Sequence, residues 1–124
     1  MDFKIDTKDA FTTIVPQANE LSAILAATMA SKITEIRQSG SGNVIVDLSE
    51  CSALDENTVD ALVALHEASY AIDQSLVFTG LNAAMLAAFK KNEKDLLVNI
   101  APTMIEAVDI ISMEILERDL LSEE

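Results

Sequence analysis

The sequence is poor in several residues that characterise common protein classes. Its 124 residues include one cysteine, no tryptophan, three glycines and two prolines, and 8 basic residues stand against 21 acidic ones. One cysteine cannot form an internal disulfide, so we expect a reducing, cytoplasmic compartment. We predict that Cys51 is a buried or half-buried thiol rather than a nucleophile, because no partner base lies near it in the sequence.

The charge balance limits the partners. A formal net charge of -13 repels phosphate backbones and anionic lipid headgroups, so direct nucleic-acid binding is not expected. The sequence has neither a basic-then-apolar start nor an apolar run long enough to cross a bilayer, and we expect no direct membrane insertion. Half of the residues are hydrophobic, which suits a single domain over residues 1–124 with a substantial core.

Strands and helices alternate along the chain, which predicts an α/β architecture with right-handed crossovers between parallel neighbours. The first two strands, near Phe3–Ile5 and Phe11–Val15, are expected to be antiparallel, with Pro16 ending the second. The later predicted elements are a helix capped by Asn19 and ending near Gly40, a strand Val44–Leu48, a helix Val59–Ile72, a strand Leu76–Thr79, a helix capped by Asn82 and running to Phe89, a strand Leu97–Ile100 and a final helix with Pro102 in its first turn.

The segment from Asn43 to Asp60, NVIVDLSECSALDENTVD, is the most informative part of the sequence. Its apolar run Val44–Leu48 is typical of a strand that is buried on both faces of a parallel sheet. The next helix is predicted to begin within 55–57, because Asp and Asn side chains accept hydrogen bonds from the free amides of a first helical turn. This turn lies at the carboxyl end of the strand, where open α/β folds expose functional loops.

The order of elements, the strand ending in DLS, the DENT helix start and the later FTGLNAAMLAAF together resemble the STAS domain, the fold of bacterial anti-sigma factor antagonists. The resemblance implies a mixed, largely parallel sheet of about five strands with about four helices. It also implies a non-enzymatic regulatory module that binds an anti-sigma factor with serine kinase activity. Family members usually carry Asp-Ser-Ser/Thr-Gly-Leu/Ile at this helix start, and the first Ser is phosphorylated.

This sequence departs from that pattern at the phosphoacceptor. The matching residues are Asp55, Glu56, Asn57, Thr58 and Val59, so Glu56 stands where the serine is expected and Thr58 where the glycine is expected. A carboxylate carries about -1 charge, against about -1.5 to -2 for phosphoserine, so Glu56 is at most a partial and permanent imitation of the phosphorylated state. In the family, phosphorylation weakens binding to the anti-sigma factor. The alternative is that Glu56 is only a favourable acid in a first helical turn.

We predict that the partner-binding or regulatory residues lie at this helix start. Asp55 would cap the helix, Glu56 would set the charge at the contact, and Val59 and Leu62 would brace the loop on the core. Asn57 and Thr58 complete the predicted set. Ser49, Ser52 and Thr58 are alternative phosphosites that we do not favour, and the Thr58 hydroxyl is expected to satisfy a backbone group instead.

The helix that follows has two apolar stripes. The first contains Val59, Leu62, Val63 and Tyr70 with His66 at the same spacing, and the second contains Ala61, Leu65, Ala68 and Ile72. The second stripe is expected to pack on a neighbouring helix, with a partner surface as the alternative. His66 has no Cys or carboxylate at ligand spacing, so we predict a packed or rim residue.

The final helix is strongly acidic, with Arg118 as the only base among residues 103–124. It also has two apolar stripes, Met104, Val108, Ile111 and Ile115 in one and Ile110, Met113, Leu116 and Leu120 in the other, which exceed what a small sheet can cover. Either its end is solvated, or the part past Ile111 docks on a basic partner or on a second copy of the chain.

Catalysis has little support in the sequence. It contains no phosphate-binding GxxxxGK[ST] or GxGxxG loop, no metal-spaced His and Cys cluster and no Ser-His pair with an orienting acid, so we expect no enzyme activity, metal or cofactor. A two-component receiver with Asp47 as phosphoacceptor is disfavoured, because FKIDTKD and LLVNIAPT do not convincingly provide the required acidic pair and late Lys. A second STAS function stays open: a structural subunit of an ABC lipid-transport ATPase complex or of a signalling scaffold.

Overall fold

The computed structural model describes residues 3–40 and 42–122. These residues form seven strands, four α-helices and a 3₁₀ segment. The strands are β1 (Phe3–Thr7), β2 (Thr12–Pro16), β3 (Glu20–Leu21), β4 (Val44–Asp47), β5 (Ala53–Leu54), β6 (Leu76–Thr79) and β7 (Ile100–Ala101), and the helices are α1 (Ala23–Ser39), α2 (Glu56–Ala71), α3 (Ala83–Lys90) and α4 (Met104–Ser122). The 3₁₀ segment is Lys91–Leu97.

The main sheet has five strands in the order β1-β2-β4-β6-β7, with only the β1–β2 pair antiparallel. This is the predicted mixed, largely parallel sheet with four helices. The central strand β4 is covered on both faces, since Val44, Ile45 and Val46 are all fully buried. Its predicted last residue, Leu48, lies just past the strand, but its amide still donates to the Thr79 carbonyl at 2.8 Å.

Alternation along the strands divides the core between two layers. Val44, Val46 and Phe78 pack on one face with residues of α1, α2 and α3, including Leu25, Met29, Leu62 and Phe89. Ile45 and Val77 pack on the other face with Ala107 and Ile111 of α4. Among the described helices, only α4 contributes to this second layer, and its outer residues Met113, Leu116 and Leu120 remain exposed.

The structure corrects the predicted start of the first helix. Ser22 caps α1, since its hydroxyl accepts a hydrogen bond from the Leu25 amide at 3.1 Å. The predicted cap Asn19 instead uses its carbonyl to accept from the Ser52 amide at 2.7 Å. Leu21, predicted to be helical, is in β3, which pairs in parallel with β5 in a separate two-stranded sheet. This small sheet was not predicted, because two-residue strands carry no periodic signal.

The last strand and the last helix also differ from the prediction. The strand is Ile100–Ala101 rather than Leu97–Ile100, because Leu97 belongs to the 3₁₀ segment and is 50% exposed. Pro102 lies before α4 and not in its first turn. Thr103 precedes the helix, and its hydroxyl accepts from the Glu106 amide at 3.2 Å.

Candidate functional site

The start of α2 forms as the sequence predicts. Asp55 adopts an extended conformation with φ -98° and ψ 178°, and its Oδ1 accepts a hydrogen bond from the Thr58 amide at 2.8 Å. Hydrogen bonds from the Thr58 amide and then from the Thr58 hydroxyl lower the pKa of Asp55. Asp55 is therefore a charged N-cap that fixes where the helix begins.

Thr58 connects this helix start to the small sheet. Its side chain is fully buried, and its Oγ1 lies 2.9 Å from the Leu21 carbonyl oxygen and 2.8 Å from Asp55 Oδ1. The single hydroxyl proton is thus shared between a backbone acceptor and the cap. The predicted role of this hydroxyl in satisfying a backbone group is confirmed, and a hydroxyl buried in this way is not accessible to a kinase in the folded protein.

The predicted set of site residues divides into an exposed and a buried half. Val59 is 1% exposed and Leu62 is fully buried, so both belong to the core and not to the surface. Asp55, Glu56 and Asn57 are exposed. We call these three residues the docking turn, because they are the members of the predicted set that another molecule can touch.

The Glu56 carboxylate has intramolecular partners that the sequence did not reveal. Asn92 Nδ2 donates a hydrogen bond to Glu56 Oε1 at 3.1 Å, and Lys91 Nζ lies 3.7 Å from Glu56 Oε2. One helical turn later, Lys94 Nζ donates to Asp60 Oδ1 at 2.5 Å. The 3₁₀ segment therefore contacts the start of α2 through two lysines and the Asn92 amide. The Glu56 carboxylate consequently has partners within the domain.

The 3₁₀ segment leaves helical geometry where it makes this contact. Asn92 and Glu93 have left-handed φ values of 61° and 58°. Asparagine tolerates this region, whereas glutamate pays about 1–2 kcal/mol there. None of its residues is buried, and Leu96 is 74% exposed. Its attachment to α2 is therefore mainly polar. In the sequence, this segment is marked by the lysine-rich run KKNEK at the end of the third helix. The contact of that run with Glu56 depends on the tertiary fold.

A shallow cleft adjoins the docking turn. Its volume is about 200 Å³, and it is lined by Glu20, Leu21, Ser22, Ala53, Leu54 and Asp55. These residues come from the two-stranded sheet and from the caps of α1 and α2. The cleft shares Asp55 with the docking turn.

The loop between β4 and β5 is ordered by the residues around Gly80. The Ser49 amide donates to Asp47 Oδ1 at 3.0 Å, and Gly80 has φ +78° close to both residues. Ser49 and Ser52 are exposed, although the Ser52 hydroxyl donates to the Asn19 carbonyl at 3.0 Å.

Cys51 is buried as predicted, and burial raises the pKa of its thiol, which disfavours the nucleophilic thiolate.

His66 is the packed rim residue that the sequence predicts. Its ring stacks on Tyr70 with centroids 4.5 Å apart, and its Nε2 accepts from the Asn99 amide at 3.2 Å. Burial lowers the pKa of His66 despite the nearby carboxylates of Glu114 and Glu67. Across residues 3–40 and 42–122, the structure contains no group of three His, Cys, Asp or Glu side chains placed to hold a metal ion.

The second stripe of α2 is only partly covered. Leu65 is buried and Ala61 is half-buried, and α1 packs along this helix. Ala68 and Ile72 are exposed, with Ile72 at 56%. The prediction that this stripe packs on a neighbouring helix therefore holds for its first half and is wrong for its second half, because the neighbouring helix does not cover that end.

Comparison with known proteins gives the family. The model of the STAS domain matches residues 3–107, and this chain belongs to the STAS domain family. No curated protein matches the sequence significantly. Within the described part of the chain, no helix combines the length and apolarity needed to span a membrane.

Solved structures share the fold at low sequence identity. A putative anti-sigma factor antagonist from Thermotoga maritima has a TM-score of 0.72 at 15% identity, over 89% of this chain and 94% of that one. The unphosphorylated form of the anti-sigma factor antagonist SpoIIAA has a TM-score of 0.68 at 17% identity, over 90% of this chain and 96% of that one. A form of RsbS from Moorella thermoacetica with a serine-to-glutamate substitution has a TM-score of 0.72 at 15% identity, over 90% of this chain and 96% of that one.

Proposed function

We propose that this protein is a non-enzymatic, cytoplasmic interaction module of the anti-sigma factor antagonist type. It binds a regulatory protein through the docking turn of Asp55, Glu56 and Asn57. The observation that carries the proposal is that this turn is exposed and preorganised, with its cap, Thr58 and Val59 held by the core. A preorganised contact loses little conformational entropy on binding.

The chemistry of Glu56 makes this interaction independent of phosphorylation at that position. A glutamate has no hydroxyl to accept a phosphoryl group, and its single charge is paired with Lys91 and Asn92. The pairing lowers the negative potential that the turn presents to a partner. The protein therefore resembles neither an unmodified serine form nor a fully charged phosphoserine form, and we propose that its binding is constitutive.

Affinity capture from the native cell tests the proposal with tagged wild type, Glu56→Ser, Glu56→Lys and Glu67→Lys. Glu67 is an exposed acid further along α2, so Glu67→Lys makes the same charge change away from the docking turn. We expect wild type and Glu67→Lys to recover the same partner and Glu56→Lys to lose it, because a lysine there adds to the positive charge of Lys91 and Lys94. Equal recovery by all four proteins would show that the docking turn is not the contact surface.

The captured partner also distinguishes the two STAS functions that the sequence leaves open. Recovery of an anti-sigma factor with serine kinase activity supports the proposed function. If that kinase is found, incubation with ATP is expected to phosphorylate Glu56→Ser and to leave position 56 of the wild type unmodified. Recovery of a permease and its ATPase would identify a structural subunit of a transport complex instead.

A further inference from the structure

The outer face of α4 carries an apolar seam that nothing in the described chain covers. Met113, Leu116 and Leu120 are 62%, 58% and 57% exposed, respectively. Their spacing of three and four residues places them on one stripe of the helix over roughly two turns. The inner residues Ala107 and Ile111 contact the sheet, so the seam points away from the domain.

The second half of α4 is held rigidly by polar contacts on its inner side. Tyr70 donates a hydrogen bond to Glu114 Oε1 at 2.6 Å. Arg118 donates to the hydroxyl of Ser75 and to Asn43 Oδ1, both at 3.0 Å. The seam is therefore a preformed surface of the domain and not part of a frayed helix end.

The inward contacts of Arg118 also leave the surface along the seam negatively charged. Arg118 is the only base in α4, and it is directed inward, whereas Glu117 and Asp119 are exposed and border the seam on opposite sides. One turn before Met113, Asp109 is exposed on the same stripe. The apolar seam is thus flanked by acids with no exposed cation of α4 to neutralise them.

We propose that this seam, formed by Met113, Leu116 and Leu120 with flanking Glu117 and Asp119, docks an amphipathic helix of another protein whose apolar stripe is flanked by Lys or Arg. Helix pairs of this kind take their partner preference from charges that flank the apolar contact. A second copy of the chain is a poor occupant, because it would place Glu117 and Asp119 against like charges on a molecule that already carries -13. The inference is independent of the docking turn, which lies on a different helix.

The test uses the full chain and a synthetic helical peptide with Leu at the seam-facing positions and Lys at the flanking ones. Fluorescence anisotropy is measured against wild type, Leu116→Ser/Leu120→Ser, and Leu96→Ser, which removes an exposed leucine elsewhere. We expect binding that weakens at least about tenfold in the double seam variant and is unchanged in Leu96→Ser. A scrambled peptide of the same composition controls for attraction by net charge alone, and circular dichroism checks that each variant is folded.

Charge reversal gives a second variant that does not depend on leucine removal. In Glu117→Lys/Asp119→Lys, the preference is expected to switch from the Lys-flanked peptide to one with Glu at the flanking positions. Equal binding of the ordered and scrambled peptides would overturn the proposal. It would also be overturned by a dimer in sedimentation that disappears in the seam variant, or by seam-dependent binding to phosphatidylglycerol vesicles.

Discussion

Asn92 donates a hydrogen bond to Glu56 across 36 positions of sequence, and the two atoms lie 3.1 Å apart. This contact joins the 3₁₀ segment to Glu56, which we propose occupies the usual phosphoacceptor position of the family. Lys91 adds an ion pair to the same carboxylate at 3.7 Å. The Glu56 carboxylate therefore has two partners within the domain, both of them on the exposed surface.

Asn92 is expected to tolerate glycine better than alanine. Its φ of 61° suits Asn and Gly, whereas alanine there pays the steric penalty of the left-handed region and also loses the hydrogen bond to Glu56. We predict that Asn92→Ala lowers the free energy of unfolding by about 1–2 kcal/mol and that Asn92→Gly lowers it by less. Urea denaturation measures both, and an equal loss in the two variants would contradict the role of φ.

Thr58 is expected to contribute to stability through its hydroxyl. Thr58→Val keeps the shape of the side chain but leaves the buried Leu21 carbonyl without this donor. We predict a loss of about 1–3 kcal/mol in the free energy of unfolding. The exposed Thr34 is a matched control, since its hydroxyl also donates to a backbone carbonyl, and Thr34→Val is expected to have little effect. A loss of similar size in both variants would show that the burial of Thr58 is not the cause.

Asp55 gives the protein an acid-sensitive cap. Its folded pKa lies below the ordinary value, so its contribution to stability is present above about pH 4 and is lost as the pH falls through the folded pKa. Asp55→Asn keeps a capping oxygen but does not titrate, and its stability is expected to decline less between pH 5 and about pH 2. Urea denaturation across this range measures the difference, and parallel pH profiles for the two proteins would contradict the assignment.

Tyr70 is the only tyrosine in the sequence, and there is no tryptophan, so its ionisation can be followed by absorbance without interference. Burial, followed by the hydrogen bond to Glu114, raises the pKa of Tyr70 to about 12. The tyrosinate absorbance is expected to appear near pH 12 in the folded protein and near about pH 10 in urea. Stability should accordingly fall as the pH rises between these two values. A folded midpoint near that of the unfolded chain would show that the phenol is free in water.

Gly80 is expected to resist replacement. It has φ +78°, and a Cβ at this position would lie 2.5 Å from Asp47 Oδ1 and 2.7 Å from the Ser49 amide nitrogen. Gly80→Ala is predicted to lose at least about 2 kcal/mol of stability. Gly40→Ala is the matched control, because a Cβ there would meet nothing closer than 4.0 Å. Thermal denaturation of the two variants is the measurement, and similar melting temperatures would contradict the close approach.

The features that were predictable from the sequence depend on local chemistry. The antiparallel β1–β2 pair, the buried strand at Val44, the Asp55 cap and the uncovered second half of α4 all follow from patterns within a few residues. The features that were missed depend on distant partners. Asn19 reaches Ser52 instead of capping a helix, β3 pairs with β5, and Asn92 reaches Glu56 through the tertiary fold. A single sequence gives no signal for such pairings.

The central claim is that the docking turn of Asp55, Glu56 and Asn57 binds the partner protein. Its most direct test is the dissociation constant of the purified partner, measured by isothermal titration calorimetry against wild type, Glu56→Lys and Glu67→Lys. We predict that Glu56→Lys weakens binding at least about tenfold, whereas Glu67→Lys stays within about twofold of wild type. Equal dissociation constants for all three proteins would contradict the claim.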